Sequence, residues 1–101
     1  MIIAEVSIVP LGTGSTSLSE YVAKAVSVLK SFKNIRVEVH SMGTVLEADD
    51  LDTIFAAVKK AHNEVFNMGV NRVLTQIKID DRRDKPATIK SKIEAVMKNI
   101  G

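Results

Sequence analysis

What most limits the fold of this chain is the order in which its hydrophobic spacing switches between two residues and three to four. Ile2, Ala4, Val6 and Ile8 alternate with Ile3, Glu5, Ser7 and Val9, the period of a strand. Pro10, Gly12 and Gly14 break that run. Leu18, Tyr21, Val22, Ala25, Leu29 and Phe32 then recur at helical spacing. Ser17 with Glu20 three residues later has the form of a capping box, so a helix is expected to start there. Ile35, Val37 and Val39 alternate with Arg36, Glu38 and His40, which predicts a second strand. Ser41, Met42 and Gly43 supply a turn, and Thr44 to Ala48 closes a hairpin as a third strand. Asp49 and Asp50 can cap a second helix with the apolar face Leu51, Ile54, Phe55, Val58, Ala61, Val65 and Phe66, stopped at Gly69. Arg72 to Asp80 alternates again. A charged run and Pro86 lead into a short third helix over 88–97, whose narrow stripe is Ile89, Ile93, Val96, Met97 and Ile100.

The order is β-α-β-β-α-β with a terminal helix. With right-handed crossovers it closes most naturally as an α+β, ferredoxin-like sandwich with an antiparallel sheet. A length of 101 residues suits one core, and a single domain over 1–101 is expected. No apolar stretch approaches the ~20 residues of a bilayer span. Glu5 and Ser7 interrupt the start of the chain, unlike a signal peptide, so a cytoplasmic protein is expected. The absence of cysteine removes disulfides, iron–sulfur ligation, thiolate zinc sites and cysteine nucleophiles.

In this fold two helices cover one sheet face. The other should carry Glu5 and Ser7 from the first strand, Arg36, Glu38 and His40 from the second, Glu47 or its neighbours from the third, and Gln76 and Lys78 from the fourth. Such a face can simply be solvated. The first strand is central, however, so Glu5 and Ser7 lie mid-sheet. If two copies pack there, these groups must find hydrogen bonds, and a small polar ligand could supply them.

RNA-recognition modules share the element order but stack bases on aromatics of the central strands. Here the aromatics, Tyr21, Phe32, Phe55 and Phe66, fall on helical faces and are expected in the core, which argues against nucleic acid. The 14 basic and 12 acidic residues are mixed along the chain and form no basic stripe. Gly12 and Gly14 before a helix resemble an anion nest, with Thr13, Ser15, Thr16 and Ser17 as added donors, but a turn with a capping box explains them equally well. His62 is expected to border the second helix's core with one satisfied hydrogen bond. No spacing resembles a zinc pattern, and neither a metal nor a cofactor is implied. Glu5 or Glu47 with His40 is the one candidate acid–base set, supported only by availability, and no catalytic residue is assigned. Asp80 to Lys85 is expected to form local ion pairs or contacts between subunits.

Several segments, in order, resemble one family: Glu5-Val-Ser-Ile-Val-Pro-Leu-Gly-Thr-Gly14, Tyr21-Val-Ala23, Met42-Gly-Thr44 with Glu47 after it, and Arg72-Val73 leading to Ile77-Lys-Ile-Asp-Asp-Arg-Arg-Asp-Lys85. They are similar to the small thiamine-binding proteins of the YkoF-like group. That resemblance implies sheet-to-sheet homodimers that can pair into tetramers. It also implies binding of thiamine or its hydroxymethylpyrimidine part without a reaction, in an inter-subunit pocket. The motif positions put Glu5, Ser7, Thr13, Ser17, Gly43, Thr44 and Glu47 in that pocket. Asn63 after His62 departs from the His-Glu pair associated with many relatives. A carboxylate such as Glu47 could accept from the aminopyrimidine amine, Ser7 or Thr44 hydroxyls could serve the ring and hydroxymethyl group, and Glu5 or Glu47 would favour a cationic thiazolium. The alternatives are an oligomeric regulatory or assembly protein, which could hold a small anion through Arg36 or Lys78, and a small hydrolase or isomerase.

Overall fold

The chain starts directly on the strand β1, Ile2–Pro10. In this computed structural model, which describes residues 1–101, there follow α1 (Ser19–Lys30), β2 (Arg36–His40), β3 (Gly43–Ala48), α2 (Leu51–Phe66), β4 (Val73–Asp80) and α3 (Ile89–Ile100). The sheet runs β2-β3-β1-β4, and each neighbouring pair is antiparallel. This is the ferredoxin-like arrangement that the element order predicted. No helix is long and apolar enough to cross a membrane.

Alternation along β1 sorts the two faces. Ile2, Ala4, Val6 and Ile8 meet α1 and α2 and belong to the core together with Ala25, Leu29, Leu46, Ile54, Val58 and Val65. Removing a side chain such as Leu29, Leu46, Ile54 or Val65 entirely from water contributes about 1.5–3 kcal/mol each, and these four are the largest that are fully buried. Asp50 caps α2 by accepting from the Thr53 N–H at 2.7 Å. Past the end of that helix, Gly69 takes φ +95°, a conformation that costs a residue with a Cβ. His62 makes its expected single hydrogen bond, to the Thr75 hydroxyl at 2.6 Å.

Three expectations at the helices need correction. α1 does not begin with a Ser17 capping box: its N-cap is Leu18, with no side-chain cap. The Ser17 amide instead donates to Ser15 Oγ, and the Ser15 amide to Thr13 Oγ1, so Ser17 belongs to a self-bonded loop. Phe55 and Phe66 are exposed, because the buried stripe of α2 is Ile54, Ala57, Val58, Ala61 and Val65 and the two rings fall beside it. Phe66 rests edge-on against His62. Finally α3 begins with a capping box between Thr88 and Ser91 and runs to Ile100, yet Ile89 is its only buried residue.

The strands differ in length in a way that shapes the molecule. β4 pairs with β1 from Ile3 to Pro10, whereas β3 pairs only from Ile2 to Val6. At Gly43 the chain reverses into β2 through Ser41 and Met42, and neither of these has a positive φ. β1 therefore runs on past the hairpin with one edge uncovered. Gly43 is closely approached: a Cβ there would sit 3.3 Å from Glu5 Cγ and 3.4 Å from Val6 O, so the Glu5 side chain would have to shift slightly.

Candidate functional site

The face not covered by α1 and α2 carries the residues that alternation assigned to it. Glu38, Val45, Glu5 and Lys78 form one row across the four strands, and Arg36, Glu47, Ile3 and Asp80 form the next. Ser7 pairs with Gln76, and His40 with Gly43. Arg36 donates to Glu38 at 2.9 Å, and His40 Nε2 lies 3.9 Å from the other Glu38 oxygen. These are exposed pairs of small energetic weight.

Glu47 departs from its row-mates. It is 7% exposed, and its Oε1 accepts from the Ile89 backbone N–H at 2.7 Å. A carboxylate on the first amide of a helix also meets the positive end of the helix dipole. Lys92 pairs with Asp80 beside it. Glu47 therefore fastens α3 to the sheet. It lies three residues along β3 from Thr44, about 10 Å at strand rise.

At the opposite end of the sheet lies a cleft of about 280 Å³, walled by α1 on one side and the Ser41–Met42 turn on the other. Its α1 wall includes Leu18, Val22 and Ala25, and the modest size of Val22 and Ala25 leaves the space open. Thr44 projects to the helix-covered face, opposite Val6, while Ser7 and Gly43 belong to the other face. All three nevertheless line this one cleft, because it wraps around the end of β3 where β1 continues alone. Thr44 is 6% exposed, and its hydroxyl has no hydrogen-bond partner. No side-chain polar atom sealed from solvent is left unbonded, so the Thr44 hydroxyl keeps contact with solvent, and Thr44 lines the cleft. Apolar walls with a few polar groups among them are the general make-up of small-molecule sites.

The structure therefore brings Ser7, Gly43 and Thr44 together and sets Glu5 at their margin, against Gly43. Thr13 and Ser17 stand in the adjoining loop, which meets the cleft only at Leu18. Glu47 is at the far end. Sequence reasoning missed the cleft's α1 wall and Met42, which is 87% exposed at the rim. The available signal was the pair of small residues, Val22 and Ala25, inside a helix otherwise read as core. The charged run after β4 forms the expected local pairs, Arg82–Asp84 and Arg83–Asp81. Hydrogen bonds from those guanidinium groups hold both aspartates below the usual carboxylate range.

Comparison with known proteins gives this geometry a context. The family model described as thiamine-binding protein matches residues 4–97. The chain belongs to the thiamine-binding protein family. Within it, a UPF0045 protein of Methanothermobacter thermautotrophicus is 53% identical over 100 residues, covering 99% of this chain and 100% of that one. A UPF0045 protein of Bacillus subtilis is 41% identical, covering 99% and 98%. The crystal structure of a hypothetical protein from Methanocaldococcus jannaschii superimposes with a TM-score of 0.86 at 50% identity, covering 94% of each chain. A protein of Thermotoga maritima assigned to thiamine biosynthesis or salvage aligns with a TM-score of 0.77 at 21% identity, covering 94% and 97%, a likeness of fold. The thiamine-binding family match spans both ends of the sheet, and so includes the cleft and the α3 anchor alike.

Proposed function

We propose that this protein binds thiamine or its hydroxymethylpyrimidine moiety without chemical turnover, in the cleft between α1 and the β2–β3 turn. The observation that carries this reading is Thr44, a buried residue whose hydroxyl bonds no other group of the chain and which lines a mostly apolar cleft. A ligand hydroxymethyl group or ring nitrogen that replaced solvent on this hydroxyl would contribute about 0.5–1.5 kcal/mol. A volume of about 280 Å³ lies just below the range typical of drug-sized ligands and suits one aromatic ring. The pyrimidine would occupy the cleft, and the thiazolium of whole thiamine would project past Ser7 and Glu5.

Calorimetry and thermal melting with hydroxymethylpyrimidine and with thiamine test this. At ligand 100-fold above Kd the native state should gain about 2.7 kcal/mol. Absence of both heat and thermal stabilisation at millimolar ligand overturns the reading.

A second reading, that the chain assembles with copies of itself, has its own support. Ile93, Val96, Met97 and Ile100 of α3 are 52–71% exposed, and the open sheet face adds Val9 and Leu74. In a sheet-to-sheet dimer, the partner would close the cleft from the Ser7 side. Light scattering that returned only the 11.0 kDa monomer would remove this reading and leave ligand binding untouched.

A further inference from the structure

The same cleft contains a second unsatisfied feature, on the backbone. The Leu11 N–H donates to Arg72 O at 2.8 Å, extending the β1–β4 ladder by one pair. In an antiparallel ladder a residue turns its N–H and C=O to the same side, and successive residues alternate. The odd-numbered residues of β1 therefore face β4, and the even-numbered ones face β3. β3 takes up Ile2, Ala4 and Val6 and then turns away at Gly43.

Ile8 is the next even residue. It is 5% exposed and lines the cleft. Beyond Val6, β3 has no residue opposite it, and none of the backbone hydrogen bonds outside the helices and ladders involves it. No side chain reaches either group. Pro10, the following even residue, has no N–H to satisfy. More than nine in ten buried backbone groups are paired in native proteins. Here both groups of one residue in a central strand stand open, in the cleft that Thr44 also lines.

We infer that Ile8 is the recognition element of the cleft, and that its ligand takes the place β3 leaves vacant in the ladder. This rests on the ligand reading above and adds the chemistry that selects the ligand. An extended residue presents a donor and an acceptor side by side, so it pairs with a flat ring whose edge carries an acceptor next to a donor. An aminopyrimidine has that edge: its exocyclic amine donates to Ile8 C=O, and the adjacent ring nitrogen accepts from the Ile8 N–H. Thr44 then serves a third polar atom of the same ring or its hydroxymethyl group. A ring without the amine leaves the Ile8 carbonyl buried and unpaired, so the backbone, not a charged side chain, sets the preference.

Amide NMR on the intact protein tests this. Saturation with hydroxymethylpyrimidine should move the Ile8 amide proton downfield and slow its exchange, while Val6 and Ser7, already in ladders, change less. In calorimetry, the same pyrimidine with hydrogen replacing the amine should bind at least about fivefold more weakly. If the aminopyrimidine binds while the Ile8 amide neither shifts nor gains protection, or if the ring without the amine binds equally well, the inference is overturned and the functional reading stands. If neither ring binds, the functional reading falls and takes this inference with it.

Discussion

β1 and β3 run side by side, yet their two ends treat buried polar groups in opposite ways. At one end Glu47 is buried and bonded to the Ile89 amide, Lys92 pairs with Asp80, and Asp50 closes the start of α2. At the other, the Thr44 hydroxyl and the Ile8 backbone belong to residues as deeply buried, yet bond no other group of the chain and line the cleft. Both ends hold polar groups in apolar surroundings, so burial alone does not mark a site. What separates them is whether the partner belongs to the chain. A satisfied buried carboxylate fastens structure together, whereas an unsatisfied hydroxyl and amide leave room for something else.

The sharpest way to break this contrast is Glu47→Ala. It removes the acceptor of a buried N–H and should cost about 1–3 kcal/mol of stability, with the heat of pyrimidine binding unchanged. If binding were lost with stability intact, the two ends would have to exchange roles. Thr44→Val makes the complementary test. Since the hydroxyl bonds no other group of the chain, thermal melting should show no loss, while calorimetry should show affinity falling by about 1 kcal/mol, roughly fivefold.

The smallest effect concerns the cap of α2. The hydrogen bond from the Thr53 amide holds Asp50 below the usual carboxylate range. A carboxyl whose folded pKa is depressed contributes stability above its unfolded pKa and loses it as pH falls through the folded value. Asp50→Ala should therefore lower Tm at neutral pH, and the gap from wild type should close in melts taken toward about pH 2. A gap that persisted unchanged in acid would mean the cap acts without its charge.

Much of the fold was legible because period-two and helical spacing follow directly from burial on one side of each element. The polar face was readable for the same reason, down to Glu38 and Lys78. The cleft was not. In the structure Ser7 and Thr44 lie on opposite faces, and nothing local in the sequence reveals that a cleft rounds the strand end and touches both. Glu47 was readable as a carboxylate on the uncovered face, but its partner lies 42 residues away on a helix whose docking no pattern announces. Ser17 and Glu20 had the spacing of a capping box, and the competing bond from the Ser17 amide to Ser15 decided against it. The aromatic residues of α2 misled because apolar character was read as burial, when only Ile54, Ala57, Val58, Ala61 and Val65 reach the core.

The uneven length of the strands carries a consequence for how such a site can change over time. Ile8 is open because β3 turns back two residues too soon, not because of any side chain that lines the cleft. Lengthening the β2–β3 hairpin by one pair on each strand would let β3 run on and close the ladder over Ile8, erasing the vacancy without altering a single lining residue. Shortening it would expose Val6 in the same manner and shift the vacancy along β1. The recognition edge is in that sense encoded as a gap in length, and an insertion in a turn can redraw it where substitutions cannot.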